Sequence, residues 1–597
     1  MSVETVSDAA LGVTRSLAGR RWRLREADER LATHIVQAHG LHPVVGRVLA
    51  GRGLEAEEVA AFLDPSLRSG LPDPSVLKDM DTAAERLAAA IVGGEEVAVF
   101  GDYDVDGATS AALLGRFFGA VGGRLRLYIP DRLREGYGPN APALLRLAGE
   151  GVSLVVTVDC GILSFAPLAA AAEAGLEVIV VDHHKADARL PEAVAVINPN
   201  RLDEDGALGH LAAVGVTFLL VVAVNRALRA AGWYGEERPE PDLRDWLDLV
   251  ALGTVCDVVP LTGLNRTLVA QGLKVMAHRR NAGLAALADV ARLAEKPTAY
   301  HLGFLLGPRI NAGGRVGTPD LGARLLLGDD PGEVKALAER LDALNAERQA
   351  LEAEVLEAAI GGIVAEVGDG EPHPVVFAAG RGWHPGVIGI VASRLTERYG
   401  RPSLVIGIGE DGTAKGSARS IPGVDFGAAI IEAAHRGLIE QGGGHAMAAG
   451  LTARVEQLDG LRAFLAERLE TRVAAARAGR CLDLDGVLGV RGCEVGLVSE
   501  LDALAPFGVG NPAPRFALPD VSIVRADIVG KGHVRAILAG GDGARLKGIA
   551  FRSADSALGE ALLAGVGRRF HIAGRLKRDD WGVAPKVELL IDDAAKA

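Results

Sequence analysis

The sequence predicts an α/β protein: a parallel-sheet domain, joined by one long helix to a second α/β domain and followed by a small β-barrel. Three observations carry this reading. Between 81 and 290, short apolar runs alternate with helical segments, the rhythm of parallel strands linked by crossover helices. From 332 to 366, an Ala-, Leu- and Glu-rich stretch keeps helical periodicity without a proline. After 481 the pattern changes to short β-prone runs separated by glycine turns.

In order along the chain, 1–80 reads as a mostly helical lead-in. Its basic knot at 20–25 (Arg-Arg-Trp-Arg-Leu-Arg) is expected to be a solvated surface with one anchoring tryptophan, Trp22. The parallel-sheet domain spans 81–330. A helix at 81–92 precedes strand 96–100, and a second strand falls at 125–129. Helix 141–149, strand 152–158, helix 165–174 and strand 176–181 follow. These strands are continuous Val/Ile/Leu runs, as expected when both sheet faces are covered. Segment 207–232 is helical, 233–246 is a Pro- and charge-rich loop, and 244–290 is helical around an interruption at 253–265. The linking region is 331–371, with the helix starting after Asp330-Pro331. The second α/β domain spans 372–478 and ends in helix 456–478. The barrel occupies 479–597, with strands at 521–524, 534–538, 546–551, 569–574 and 587–591.

Composition narrows the function classes. The 597 residues suffice for about three to five domains. Hydrophobic residues at 49% and charged residues at 24% exclude disorder over most of the chain. A net charge of −13 excludes a uniformly cationic coat but allows a local basic groove. Residues 525–578 are such a region, with 11 Lys/Arg against 4 Asp/Glu, the footprint of a strand-tracking nucleic-acid module. Four scattered cysteines without a CxxC argue against a disulfide framework or zinc knuckle and fit a reducing cytosol. No secretory pattern opens the chain. The apolar stretch 211–224 is shorter than the ~20 residues that span a bilayer, so it is expected to be a buried helix, in a cytoplasmic protein without membrane contact.

In open parallel sheets, ligands bind beyond the C-terminal strand ends. Asp102, Asp104 and Asp106 follow strand 96–100, with Gly107 allowing a tight turn. Asp159 follows strand 152–158, and Asp182-His183-His184 follows strand 176–181. Asp257 follows a further apolar run. A lone Asp after a strand is usually a cap, but four such clusters are hard to explain as capping. Carboxylates packed together repel one another, and divalent cations relieve this. Mixed carboxylate and imidazole donors suit Mn²⁺ or Mg²⁺, and two such ions form the clamp used for phosphoester hydrolysis.

These clusters resemble the motifs of the DHH phosphoesterases. Further segments are similar to one branch, the RecJ family of single-strand-specific exonucleases: 129–138 (Ile-Pro-Asp-Arg to Glu-Gly-Tyr-Gly), 308–315 (Pro-Arg-Ile-Asn-Ala-Gly-Gly-Arg), 382–389 and 416–420. The run 442–450 resembles the glycine-rich signature of DHHA1 domains, and 506–512 leads into an OB-type barrel as in that family. The resemblance covers roughly 75–597. It implies that Asp104, Asp106, Asp159, His183 and Asp257 hold two Mn²⁺ or Mg²⁺ ions, with Asp159 bridging. Asp102 would stand behind the ligands or position the attacking water. Asp182 would orient a histidine, and His184 would contact the scissile phosphate. Arg132, Ser417 and Arg419 would hold the 5′ end, and Arg309, with Asn311, the backbone. Gly443, Gly444 and His445 would contact phosphate or nucleotide, and Tyr137 would stack on a base. The arginines are expected in loops.

The implied activity is 5′→3′ hydrolysis of single-stranded DNA to 5′-mononucleotides. The implied setting is DNA repair and recombination, as a monomer, with a single-strand-binding protein and a helicase. Two rivals stand beside it. One is a phosphodiesterase of cyclic dinucleotides or very short RNA, or a pyrophosphatase; the other is a non-catalytic nucleic-acid scaffold. The barrel argues against the first and the intact ligand set against the second. Cys160 and Cys256 read as small buried thiols, and His210, His301, His384 and His435 as structural.

Overall fold

The computed structural model describes residues 9–132, 134–368, 370, 373–580 and 584–597. Strand β1 (Arg21–Leu24) belongs with the C-terminal region below. The parallel sheet is built from β2 (Glu96–Gly101), β3 (Arg124–Tyr128), β4 (Leu154–Val158), β5 (Glu177–Val181) and β6 (Ala195–Ile197), in the order β3-β2-β4-β5-β6. All four pairings are parallel. Alternate residues of the central strands face two cores. Val97, Val99, Leu154, Val156, Ile179 and Val181 meet the helices Met80–Gly93, Val105–Val121 and Ala213–Ala230. Ala98, Phe100, Val155, Val178 and Val180 meet the helices Ala141–Gly149 and Phe165–Glu173. Coverage on both faces explains why the strands read as unbroken apolar runs.

Helix Ala213–Ala230 is long and apolar enough to cross a membrane, yet 72% of it is buried inside the protein. It is the core helix expected at 207–232. The predicted interruption at 253–265 is narrower: helix Leu247–Cys256 ends at Asp257, and the next begins at Gly263. Strand β6 was not expected, because its three apolar residues, Ala-Val-Ile, carry little periodicity.

Helix Pro331–Val367 starts with Asp330 as N-cap, whose carboxylate accepts the Glu333 N–H at 2.8 Å. At 1.5 Å per residue its 37 residues reach about 55 Å. Its first half buries Val334, Leu337, Leu341 and Leu344 in the parallel-sheet core. Its second half buries Val355, Ala359 and Ile363 against β7 (Val376–Arg381) and helix Pro385–Tyr399. The second sheet adds β8 (Ser403–Ile408), β9 (Thr413–Arg419), β10 (Gln441–His445) and β11 (Ala448–Arg454), in the order β10-β11-β9-β8-β7.

The C-terminal region begins with β12 (Cys481–Leu484) and β13 (Gly486–Val487). The barrel strands are β14 (Phe516–Val529), β15 (His533–Ala539), β16 (Arg545–Ala550), β17 (Arg569–Asp579) and β18 (Lys586–Lys596). A β14–β17 pairing closes them into a five-stranded barrel. The strands run longer than predicted because interleaved Arg, Lys, Asp and Gly mask the apolar alternation.

The helical lead-in needs correction. Its basic knot is β1, paired in parallel with β12, with Arg21 opposite Cys481. Trp22 is fully buried, and its indole N–H donates to Asp593 at 3.1 Å. Arg20 pairs with Asp593, Arg23 with Asp483 and Arg25 with Asp485. The helices that follow share a core with the barrel, through Ile35, Val45, Leu49 and Val59.

Candidate metal centre and phosphate pocket

Strands β2, β4 and β5 are neighbours, so the loops after them meet at one end of the sheet. Asp104 caps helix Val105–Val121, accepting the Asp106 and Gly107 N–H groups at 2.9 and 3.2 Å. Gly107 is obligatory, since a Cβ there would lie 2.4 Å from the Asp102 carbonyl oxygen. Asp106 accepts the Ala213 and Val214 N–H groups at 2.7 and 2.9 Å, at the start of helix Ala213–Ala230. Two positive helix ends thus support the acidic cluster. Asp159 adopts φ 61°, a left-handed conformation that aspartate tolerates better than most non-glycine residues, and this turns its side chain back over the strand ends. Asp257 arrives by a different route: it is the C-cap of helix Leu247–Cys256, not the end of a strand.

Donor atoms converge in three overlapping groups: Asp102/Asp104/Asp159, Asp106/His183/Asp257 and Asp159/His183/His184, each within 4.8 Å. His183 Nε2 lies 3.3 Å from Asp159 Oδ1, 3.6 Å from Asp257 Oδ2 and 4.0 Å from Asp106 Oδ2. Asp102 Oδ1, Asp159 Oδ1, Asp257 Oδ2 and His183 Nε2 are all buried without a hydrogen-bond partner. Buried polar atoms are normally paired. Four orphans within these overlapping groups, carboxylates and an imidazole nitrogen, fit divalent cations. Asp102, expected behind the ligands, shares a donor group with Asp104 and Asp159.

Burial, and then the neighbouring carboxylates, push Asp102, Asp106 and Asp159 well above the usual carboxylate range. Asp257 is raised to about 7 by burial and by Asp104. The adjacent histidines part company. His183 Nδ1 donates to the Leu211 carbonyl at 3.0 Å, leaving Nε2 as a lone pair, and burial followed by the charge of His184 lowers its pKa. His184 Nδ1 sits 2.7 Å from Asp182 Oδ1; burial pulls its pKa down, but this bond together with the charges of Asp182, Asp257 and Asp102 gives a net rise. His183 is built as a neutral ligand and His184 as a cationic donor. Asp182 also accepts the N–H groups of Ile162, His183 and His184, so the histidine it orients is His184.

The structure also supplies supports that the sequence reading missed. Asn198, at the end of β6, donates to the His184 carbonyl at 2.8 Å, and Asn200 donates to the His183 carbonyl at 2.5 Å. The Asn-Pro-Asn at 198–200 was the available signal, overlooked along with β6. Cys160 and Cys256 are small thiols bonded to backbone carbonyls, with burial pushing both up. His301 and His384 cap helices.

Beside the metal loops lies a cluster of arginines. Arg132 is an exposed loop residue over the Tyr103 ring, 5.1 Å from its centroid. Arg419 is not in a loop: it ends β9, donating to Ser417 Oγ at 3.1 Å. Arg315, given no role from sequence, donates to the Gly386 carbonyl at 3.1 Å and so bridges to the second sheet's helix. Burial, then Arg132 and Arg348, depress Arg315 to about 10; burial and Arg132 lower Arg419. The mutual repulsion of these cations, eased for Arg315 by Asp104, would favour a bound anion.

Arg309 and Asn311 are helical, on Gly307–Val316, and Arg309 is committed to Asp342 at 2.9 Å. Tyr137 donates its hydroxyl to the Asp159 carbonyl at 3.0 Å, and its half-exposed ring meets His184 edge-on. Gly443, Gly444 and His445 form edge strand β10. At Gly444, φ 148°, a Cβ would lie 2.4 Å from the Ala448 carbonyl oxygen. His445 is in register with Ala448 and Arg419, two strand spacings or about 10 Å from the arginine.

The basic window of the barrel is less charged than its count. Arg525, Arg535, Lys547, Arg569, Arg575 and Arg578 pair with acids, most of which lie outside 525–578. Lys531, Arg545, Arg552, Arg568 and Lys577 keep free heads among the described residues.

Comparison with known proteins agrees with this layout. Family models match in series: the DHH family N-terminal domain at residues 96–254, the DHHA1 domain at 372–471 and the RecJ OB domain at 484–593. The single-stranded-DNA-specific exonuclease RecJ of Bacillus subtilis is 33% identical over 583 residues, 96% of this chain and 71% of that protein. The chain belongs to the RecJ family. RecJ of Escherichia coli is 36% identical over 90% of this chain and 92% of its own. The crystal structure of RecJ from Thermus thermophilus with Mn²⁺ superposes with a TM-score of 0.76 at 31% identity, covering 96% of this chain and 79% of that one. The Mg²⁺ form gives 0.70 at 30% identity, covering 96% and 78%. As a RecJ-family member with a DHH phosphoesterase domain, the protein is a nuclease of the hydrolase class.

Proposed function

We propose that the protein is a 5′→3′ exonuclease that hydrolyses single-stranded DNA to 5′-mononucleotides with two Mn²⁺ or Mg²⁺ ions. The observation that carries this reading is the set of buried, unpartnered donor atoms at the ends of β2, β4 and β5 and of helix Leu247–Cys256, beside an arginine cluster. Relatives named single-stranded-DNA-specific exonucleases and structures titled with Mn²⁺ and Mg²⁺ support it. Asp102, Asp104 and Asp159 would hold one ion and Asp106, His183 and Asp257 the other, with Asp159 close enough to His183 to serve both. Bound divalent ions supply Lewis-acid activation of water and neutralise phosphate charge.

The chain's own residues would do the rest. Arg132, Arg315, Arg419 and Ser417 would hold the terminal 5′-phosphate. The phosphorus one nucleotide further in would then face the carboxylates. Water would attack that phosphorus in line, a P–O bond would form, and the bond to the 3′-oxygen of the terminal nucleotide would break. His184, held cationic by Asp182, would donate from Nε2 to the phosphate. The remaining strand again begins with a 5′-phosphate, so each product is the next substrate. The free basic heads of the barrel would hold the trailing strand, and β10, with Gly443, Gly444 and His445, would line its path. This activity fits DNA repair and recombination in the cytoplasm, on strands opened by a helicase and coated by single-strand-binding protein.

The test uses single-stranded DNA labelled at either end, with Mn²⁺ or Mg²⁺. The expected result is early release of 5′-labelled mononucleotide and no attack on blunt duplex. Cleavage confined to dinucleotides, or binding without cleavage, would overturn the reading.

A further inference from the structure

Aromatic residues make up only 4% of the chain, and among the described residues nearly all are at least half-buried. Four are exposed among the described residues: Tyr137, Tyr300, Phe304 and Phe551. Tyr300 and Phe304 are adjacent, 66% and 72% exposed, with rings stacked at 5.1 Å and an interplanar angle of 28°. A large exposed apolar patch of this kind is informative where single exposed residues are not.

The segment that carries the pair is fastened to the metal centre. It includes a π-helical turn, Leu302–Leu306, of the kind that recurs at functional sites. Gly303 and Gly307 set its inner side on the residues just before Asp257. A Cβ on Gly307 would lie 2.4 Å from Cys256 Sγ, and one on Gly303 would lie 3.5 Å from Val255. The Cys256 thiol donates to the Leu302 carbonyl at 3.4 Å. Further along, Gly314 abuts Tyr103, between Asp102 and Asp104. The wide turn thus seats its small residues on the metal loops and turns its two rings outward.

We propose that Tyr300 and Phe304 form a stacking platform for a nucleobase of the single strand as it passes the metal centre. The proposal rests on the single-strand reading above. A nucleobase is the occupant because the segment that carries the rings packs on Val255 and Cys256, next to Asp257, which sets the exposed rings beside the strand held in the site. Flat rings accept any base, which suits an enzyme that degrades without regard to sequence. Bases inside a duplex are stacked on both faces, whereas those of a single strand can be splayed onto the rings, so the platform would also favour single strands.

The test compares wild type, Phe304→Ala and Tyr300→Ala/Phe304→Ala on oligodeoxynucleotides with normal bases or abasic residues near the 5′ end. Loss of the rings should raise KM about tenfold, the effect of losing one stacked base, with kcat within twofold. Abasic residues should cost the wild type a similar factor and the double variant nothing further. A KM unchanged by the substitutions, or equal sensitivity of wild type and double variant to abasic residues, would overturn the proposal. An effect seen only with a partner protein present would do the same. Phe304→Trp supplies a readout independent of cleavage: its emission should be quenched by oligothymidine in metal-free protein. Quenching without hydrolysis by the wild type would sink the exonuclease reading and leave the platform standing.

Discussion

At the residue scale, Asp159 concentrates the strain of the site. It is buried, left-handed in φ, repelled by four neighbouring carboxylates and without a partner for Oδ1. Asp159→Asn keeps the size and the tolerance for positive φ but removes the charge. The metal-free variant should unfold a few degrees higher than wild type, reflecting about 1–2 kcal/mol of relieved repulsion. It should also lose more than 99% of nuclease activity. Calorimetry of both metal-free proteins checks the first statement. Arg315→Lys tests the phosphate pocket: lysine cannot reach the Gly386 carbonyl and a phosphate with one planar fork. The variant should lose the preference for a 5′-phosphate over a 5′-hydroxyl, seen in paired KM values. The carboxylate and histidine clusters were legible because chemistry-bearing residues follow strands. Arg315 was not, since a lone arginine on a helix becomes informative only when Arg132 and Arg419 are brought beside it.

At the scale of elements, the parallel strands were readable because burial on both faces makes them uniformly apolar. Strand β1 was hidden for the opposite reason. Its four residues alternate Arg with Trp and Leu, and its partner lies about 460 residues away. What holds it is Asp593 of β18, fully buried, which accepts from Ser16 Oγ, Trp22 Nε1, Arg20 Nε and the Ala18 N–H. A buried carboxylate is tolerable only when satisfied in this way. Trp22→Ala would leave a cavity and remove one of those donors, at a cost of about 3–5 kcal/mol. Limited proteolysis should then release the N-terminal segment, while the parallel-sheet core resists as before.

At the scale of the molecule, the barrel also touches the metal side. The Leu261 N–H, four residues after Asp257, donates to the Val509 carbonyl at 2.7 Å. Arg52 bonds Asn511 and the Pro512 carbonyl, tying the N-terminal helices to the same junction. The segment 506–512, read from sequence only as an approach to the barrel, is where three regions meet. The raised carboxylates make the whole centre pH-sensitive. Asp257, near 7, and its neighbours hold protons that cations must displace, so cation affinity should climb as pH rises from 6 to 8. The metal-free fold should lose stability over the same range, because these groups bind more protons folded than unfolded below their raised pKa values.

The central claim is that one buried cluster holds two ions through Asp159. Isothermal titration of the metal-free protein with Mn²⁺ at pH 8 tests it most directly. The account predicts two ions per chain for wild type, tighter at pH 8 than at pH 6, and weaker binding at both positions in Asp159→Asn. A single ion, or two ions bound with unchanged affinity in the variant, would contradict it.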